Sequence, residues 1–251
     1  MRKITVSNTP LITIVTPTTG KEGLQRLIDS LEKQSVKYVH ILLWDDKREG
    51  EFLFPDEHGN LKTPYDMDEI TQKGTRYSIV VPGSFVQGIA YGSALRSIGL
   101  MAANTPYVTF ADDDVWFDSN HLETLLASIG DKKWSYCVRK IWSPLGECIG
   151  EDRFESIGEE TKMPYKLIDN NSLLVERKFA ASSACIYRET CDYNDDRLMY
   201  AFLKQYAGEP AKTDMATVNQ ICPERLEGMF REGCIQTEQS GLFISDVLSK
   251  E

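Results

Sequence analysis

The sequence predicts an α/β fold: a mainly parallel sheet with helices packed against it. Three observations lead there. Short apolar, β-branched runs alternate with amphipathic stretches of helical period. The segments joining successive runs are long enough to be crossover helices rather than hairpin turns. Finally, 41% of the 251 residues are hydrophobic and 26% are charged, which suits one layered globular core with a modest extension.

The elements follow in order. Residues 11–16 (LITIVT) form an apolar run stopped by Pro17 and read as a buried strand. Residues 21–34 place Leu24, Leu27, Ile28 and Leu31 on one helical face. Residues 38–44 (YVHILLW) are a second buried strand that runs into Asp45 and Asp46. Strand, helix and strand in that order make a βαβ unit, hence parallel pairing. Residues 47–73 are polar, carry Gly50, Pro55, Gly59 and Pro64, and show no period, so they read as a long excursion.

A third strand is expected at 77–81, a helix at 88–103 and a fourth strand at 107–110 (YVTF), followed at once by Asp112, Asp113 and Asp114. A helix at 121–129 and a strand at 134–141 come next. Residues 146–171, rich in glycine and acids, give no clear reading. Residues 178–187 read as a strand and 197–206 as a helix, while the tail beyond Ala207 is poorly periodic and is expected to wrap the body. The expected organisation is one continuous domain, with a ligand-binding half over 1–115 and a second half with its extension over 116–251.

Composition excludes several functions. A net charge of −10 argues against a nucleic-acid surface. No apolar run approaches the roughly 18–20 residues that a membrane span requires. Residues 1–10 are polar and lack the apolar core of a signal peptide. The six cysteines form no C-x-x-C pair and only three histidines are present, so reduced thiols in the cytoplasm are expected rather than a zinc site.

Three consecutive carboxylates at the end of a buried strand repel one another unless a cation compensates them. In an extended segment alternate residues share a side, so Asp112 and Asp114 are expected to face one point and Asp113 to face away. Ligands of open α/β sheets bind outside the carboxyl ends of strands, where this cluster sits. Two converging carboxylates suit a hard divalent ion, Mn²⁺ or Mg²⁺, that keeps other positions for water and phosphate oxygens. A solvated turn capping the next helix is the competing reading.

The order of elements and their junctions resembles the family 2 glycosyltransferases of the GT-A fold. That family's first strand ends in a Pro-Thr-Tyr-Asn-like turn; here the turn is Pro17-Thr18-Thr19-Gly20, followed by Leu24, Leu27, Leu31 and Gln34 in the corresponding places. The family's second strand ends in Asp-Asp-Gly-Ser, and here in Asp45-Asp46-Lys47-Arg48. The third stretch matches without a gap: Leu95-Arg96-Ser97-Ile98-Gly99-Leu100, then Ala103, then Tyr107-Val108-Thr109-Phe110-Ala111-Asp112-Asp113-Asp114. The match is close over the first half of the chain and loose over the second.

The resemblance implies a Rossmann-like sheet and transfer of a sugar from a nucleotide donor, a UDP-sugar, to a glycan or lipid-linked acceptor, with an acceptor side that varies among family members. It implies that Thr18, Thr19 and Asp46 contact the nucleoside and that Arg96 approaches the base or diphosphate. Asp112 and Asp114 would hold Mn²⁺ or Mg²⁺, and Asp113 belongs with the nucleotide-binding group or supports its neighbours. Thr19 departs from the family's aromatic residue, which removes stacking on uracil, and Lys47-Arg48 replace its Gly-Ser turn. It also implies a cytoplasmic enzyme, peripheral at the membrane's inner face where the acceptor is lipid-linked.

An inverting transfer needs a carboxylate base beside the acceptor hydroxyl. Asp196, with Asp195 beside it, opens a helix after the expected late strand and is the preferred candidate; helix capping competes with that role. Glu151-Asp152 is the alternative on letters alone. Trp134, Trp142 and Tyr165 are candidates to stack on an acceptor sugar, although core packing is the commoner use of such residues. Two other functions stay open, a sugar nucleotidyltransferase and a non-catalytic nucleotide-sugar-binding protein.

Overall fold

A computed structural model of the chain describes residues 9–20, 23–46, 54–55, 61–62, 74–82, 92–159, 166–189 and 194–245. The strands are β1 (Ile12–Thr18), β2 (Tyr38–Asp46), β3 (Phe54–Pro55), β4 (Leu61–Lys62), β5 (Gly74–Pro82), β6 (Tyr107–Phe110), β7 (Val115–Phe117), β8 (Trp134–Trp142), β9 (Cys148–Glu151), β10 (Leu173–Glu176) and β11 (Ala211–Ile221). The helices are α1 (Gly23–Glu32), α2 (Ser93–Ala102), α3 (His121–Ile129), α4 (Arg177–Ser182), α5 (Ala184–Glu189), α6 (Asp195–Tyr206) and α7 (Glu227–Gly233).

The main sheet runs β5-β2-β1-β6-β10-β8-β11-β7, with β9 paired to β8. β5, β2, β1 and β6 are parallel. β10 enters antiparallel between β6 and β8. The chain therefore builds outward from β1 through β2 to β5, then crosses by α2 to the other side of β1. That reversal opens a crevice at the carboxyl ends of β1 and β6. It is where Thr18–Thr19 and Asp112–Asp114 lie.

Each sheet face has its own apolar cluster. On one, Ile12, Ile14, Leu42 and Trp44 of the sheet meet Leu24, Leu27 and Leu31 of α1 and Leu122 and Leu125 of α3. On the other, Val15, Leu43, Val108 and Phe110 meet Leu95 and Leu100 of α2, Tyr187 of α5 and Met199 and Leu203 of α6. The residues of β1 alternate between the two clusters, as a strand buried on both faces must.

The early strands and α1, α2, α3 and α6 fall where the sequence places them. Two expectations fail. Residues 178–187 are helical rather than extended, and the strand lies just before them, at β10. The buried positions Ala180, Ser183 and Tyr187 are three and four apart, which is helical spacing. Small alanines and serines blur that period in the sequence.

The start of the tail also departs from expectation: β11 is an eleven-residue strand inside the main sheet, whereas residues 234–244 do run back over the body, along β9. Its buried centre carries Thr217 and Asn219, which disguise it as polar. Thr217 Oγ1 lies 2.8 Å from Nδ1 of His121, while Asn219 Oδ1 accepts from Trp142 Nε1 at 3.1 Å and its amide donates to Asp118 Oδ1 at 2.9 Å. Buried polar groups are tolerated because they are paired in this way. Of the 47–73 excursion the structure describes only the short antiparallel pair β3–β4.

Candidate active site

The crevice at the sheet reversal is a cleft of about 280 Å³ lined by Pro17, Thr18, Thr19, Asp45, Gly92, Leu95, Arg96, Asp112, Asp113 and Asp114. One wall is the end of β1, the other is the turn after β6. Gly92 closes the back: at φ +80°, a Cβ there would come within 2.6 Å of Pro17 Cβ, so the start of α2 can approach β1 only without a side chain.

The acidic segment is a turn and not the extended piece from which alternation was argued, the Val115 amide donating back to the Asp112 carbonyl at 3.3 Å. All three residues therefore reach the cleft, with different roles. Asp113 is buried, and its Oδ2 accepts from Thr18 Oγ1 at 2.8 Å and from the Thr19 amide at 3.4 Å. The Thr18 hydroxyl in turn accepts the Gly20 amide at 2.9 Å. Asp113 thus braces the two lips of the cleft. Asp114 is exposed at the rim.

Asp112 is half-buried and held from two sides. Its Oδ1 pairs with the guanidinium of Arg96. Its Oδ2 accepts from Asn171 Nδ2 at 3.1 Å, while its backbone amide donates to Asn171 Oδ1 at 2.7 Å. Arg96 is buried on α2 and also meets Asp195 Oδ2 at 3.2 Å, where the Ser93 hydroxyl donates at 3.1 Å. One arginine therefore joins the expected metal carboxylate to the expected catalytic pair. Burial alone would lower its pKa, but Asp112 and Asp195 more than offset that, so it stays charged.

Asp195 and Asp196 form the first turn of α6. Burial raises both pKa values above the usual carboxylate range; for Asp196 the negative charges of Asp169 and Asp195 raise it further, against the pull of Arg96. Asn194 holds the N-cap position without a side-chain capping bond, its Oδ1 accepting instead from Arg197, while Asp195 Oδ1 accepts the Asp196 amide at 3.1 Å, so the pair also serves the start of the helix. Carboxylates pushed upward beside a cleft are suited to receive a proton.

The alternative base pair has a different function. Asp152 is fully buried on Arg139, at 2.7 Å, and accepts the backbone amides of Phe154, Glu155 and Ser156 at 2.8, 2.9 and 3.1 Å. It pins a loop and is closed off from solvent. Trp134 and Trp142 are likewise fully buried core residues rather than surfaces for a sugar. Tyr165 and the Asp46 side chain lie outside the described residues, and Asp45, which the sequence reading passed over, lines the cleft. Asn171 was also missed: it lies in the stretch without period, and no local signal marks it.

No family model matches the chain, and no curated protein matches it. Solved structures do. The chain is similar to S. aureus TarS, at 15% identity over 84% of this chain and 36% of that one, with a TM-score of 0.57. The complex of TarS residues 1–349 with UDP gives 15% identity, 84% and 60% coverage and a TM-score of 0.55. The complex with UDP-GlcNAc gives 15%, 90% and 62%, with a TM-score of 0.57. The chain thus spans between about a third and two thirds of the length of the TarS chains it matches. At this identity the likeness is one of fold.

Proposed function

We propose that this chain transfers a sugar from a nucleoside-diphosphate donor, a UDP-sugar, to a glycan or lipid-linked acceptor hydroxyl, with a divalent cation and with inversion at the anomeric carbon. The observation that carries this reading is the bridge through Arg96, which sets the acidic turn of the cleft beside the Asp195–Asp196 pair. The UDP and UDP-GlcNAc complexes of the similar fold support the choice of donor.

The donor set fits Mg²⁺ or Mn²⁺. The cleft presents carboxylates, and among the described residues neither histidine nor cysteine lines it. Among the described residues no three acidic, histidine or cysteine side chains close around one point. That suits an ion held by one or two carboxylates and completed by phosphate oxygens and water. Asp112 and Asp114 would hold it, and when bound it neutralises charge on the departing diphosphate.

The chain's own residues do the rest. Thr18, Thr19 and Asp45 form the wall that a nucleoside would meet, and Asp113 keeps that wall fixed against the acidic turn. Arg96 holds Asp112 and adds positive charge where the diphosphate lies. Asp196 accepts the proton of the acceptor hydroxyl. The hydroxyl oxygen forms the new bond to the anomeric carbon as the carbon–phosphate-oxygen bond breaks, its electrons leaving with the diphosphate. A single displacement of this kind inverts the centre and forms no sugar–enzyme bond. Among the described residues no helix is long and apolar enough to cross a membrane.

UDP release from a panel of UDP-sugars, with Mn²⁺ or with EDTA, tests the reading. Release is expected with Mn²⁺ and lost with EDTA, in Asp112→Asn and in Asp196→Asn, the last retaining UDP binding. UDP-sugar turnover indifferent to EDTA and to both substitutions would overturn the assignment. Tight nucleotide-sugar binding without turnover on a broad acceptor panel would instead mark a binding protein.

A further inference from the structure

Asn171 lies outside every sequence motif, yet it touches the acidic turn by two hydrogen bonds. It sits in a single 3₁₀ turn, Asn170–Ser172, between the loop after β9 and strand β10, and is buried. The Asp112 amide donates to its Oδ1 at 2.7 Å, and its Nδ2 donates to Asp112 Oδ2 at 3.1 Å and to Asp169 Oδ1 at 2.8 Å. The two ends of the amide are identified by independent partners. A backbone N–H can meet only the oxygen, and a carboxylate flanked by other acids is best met by the NH₂ group.

Asp169 is itself fixed. Its Oδ1 also accepts the Asn171 backbone amide at 2.8 Å, and its Oδ2 meets Arg139 Nη1 at 2.8 Å. A continuous polar chain therefore runs from Arg139 on β8 through Asp169 and Asn171 to Asp112.

We infer that Asn171 is the positioning residue of Asp112: it sets where the carboxylate points and keeps one oxygen turned to Arg96 and the cleft. Without that amide, Oδ2 of Asp112 loses its protein donor and the side chain is free to rotate into the cleft or toward solvent. The consequence for ligand binding rests on the function proposed above. There, Asn171 supports a cation ligand from behind, a role whose loss typically weakens metal binding by about 10–100-fold.

Two variants test this. Asn171→Asp keeps the shape and the acceptor for the Asp112 amide but replaces the donor with an oxygen facing two carboxylates. Asn171→Ala removes both bonds and serves if the first fails to fold. Crystal structures of wild type and variant, thermal melting, and calorimetric titration of UDP with Mn²⁺ are compared. The Asp112 carboxylate is expected to swing away from Arg96, with UDP affinity about 10–100-fold weaker. If melting falls while Asp112 stays in place and UDP affinity holds, Asn171 is only a structural residue and the inference is overturned. If Asp112 moves but UDP affinity holds, Asn171 positions Asp112 and it is the cation role of Asp112 that fails. If wild type binds no UDP, the proposed function fails and the crystal comparison alone still decides the positioning role.

Discussion

Two buried arginines organise the second half of the sheet and the cleft, and they do so in opposite senses. Arg139 meets Asp152, Glu155 and Asp169 at 2.7, 2.6 and 2.8 Å and Gln220 at 2.8 Å. Arg96 meets Asp112 and Asp195. The carboxylates around Arg139 are largely closed off, and Asp152 is saturated by Arg139 and three backbone amides, so its pKa falls although burial alone would raise it. Around Arg96 the cleft is open, and burial with neighbouring negative charge pushes Asp195 and Asp196 upward. The same ion-pair chemistry thus makes a fastening where an arginine and backbone amides saturate a closed-off carboxylate, and leaves carboxylates with raised pKa values where burial and neighbouring negative charge outweigh the pull of the arginine.

The comparison predicts a hierarchy of effects. Arg139→Ala should cause the largest loss of stability, about 3–5 kcal/mol, because it strands buried carboxylates. Urea denaturation measures it. Arg96→Ala should cost less, about 1–3 kcal/mol, since its partners reach the cleft and solvent, but it should remove transfer activity. Equal destabilisation by the two substitutions would collapse the distinction. Gly92→Ala should cost about 1–2 kcal/mol for its left-handed backbone alone. The new Cβ against Pro17 should also weaken UDP binding, readable in the same calorimeter as melting is tracked.

A finer test is one of sign. Asp196, with its folded pKa raised, contributes stability below the unfolded value that is lost as pH rises through the folded one. Asp196→Asn should therefore be more stable than wild type near about pH 7, with the gain fading toward about pH 4. Asp152, with its folded pKa lowered, contributes stability above the unfolded value that is lost as pH falls through the folded one. Asp152→Asn should be less stable near about pH 7, with the deficit shrinking in acid. Urea melts of both variants across that range give the two slopes, and slopes of the same sign would break the contrast between the centres.

What could be read in the sequence follows from the same contrast. The first half announces itself because β1 and β2 are apolar on both faces and α1 keeps a clean helical stripe. Arg96, Asp112, Asp195 and Asp196 could be placed from motif spacing and helix starts, and the structure gathers these four. The pairing of Arg96 with Asp195, nearly a hundred residues apart, had no local trace. Nor did the pairing of Asn171 with Asp112, which lies in another segment. β11 was hidden because its buried threonine and asparagine are satisfied by distant side chains, which no window of sequence can register. The inward turn of Asp113 depends on Thr18 across the crevice, so strand alternation within its own segment pointed the wrong way.

The central claim is that the acidic turn binds a diphosphate through a cation. Calorimetric titration of UDP tests it most directly, into wild type with Mn²⁺, wild type with EDTA, and Asp112→Asn with Mn²⁺. One site in the first case, weakened by about tenfold or more in the other two, is the predicted result. Equal UDP affinity in all three would contradict it.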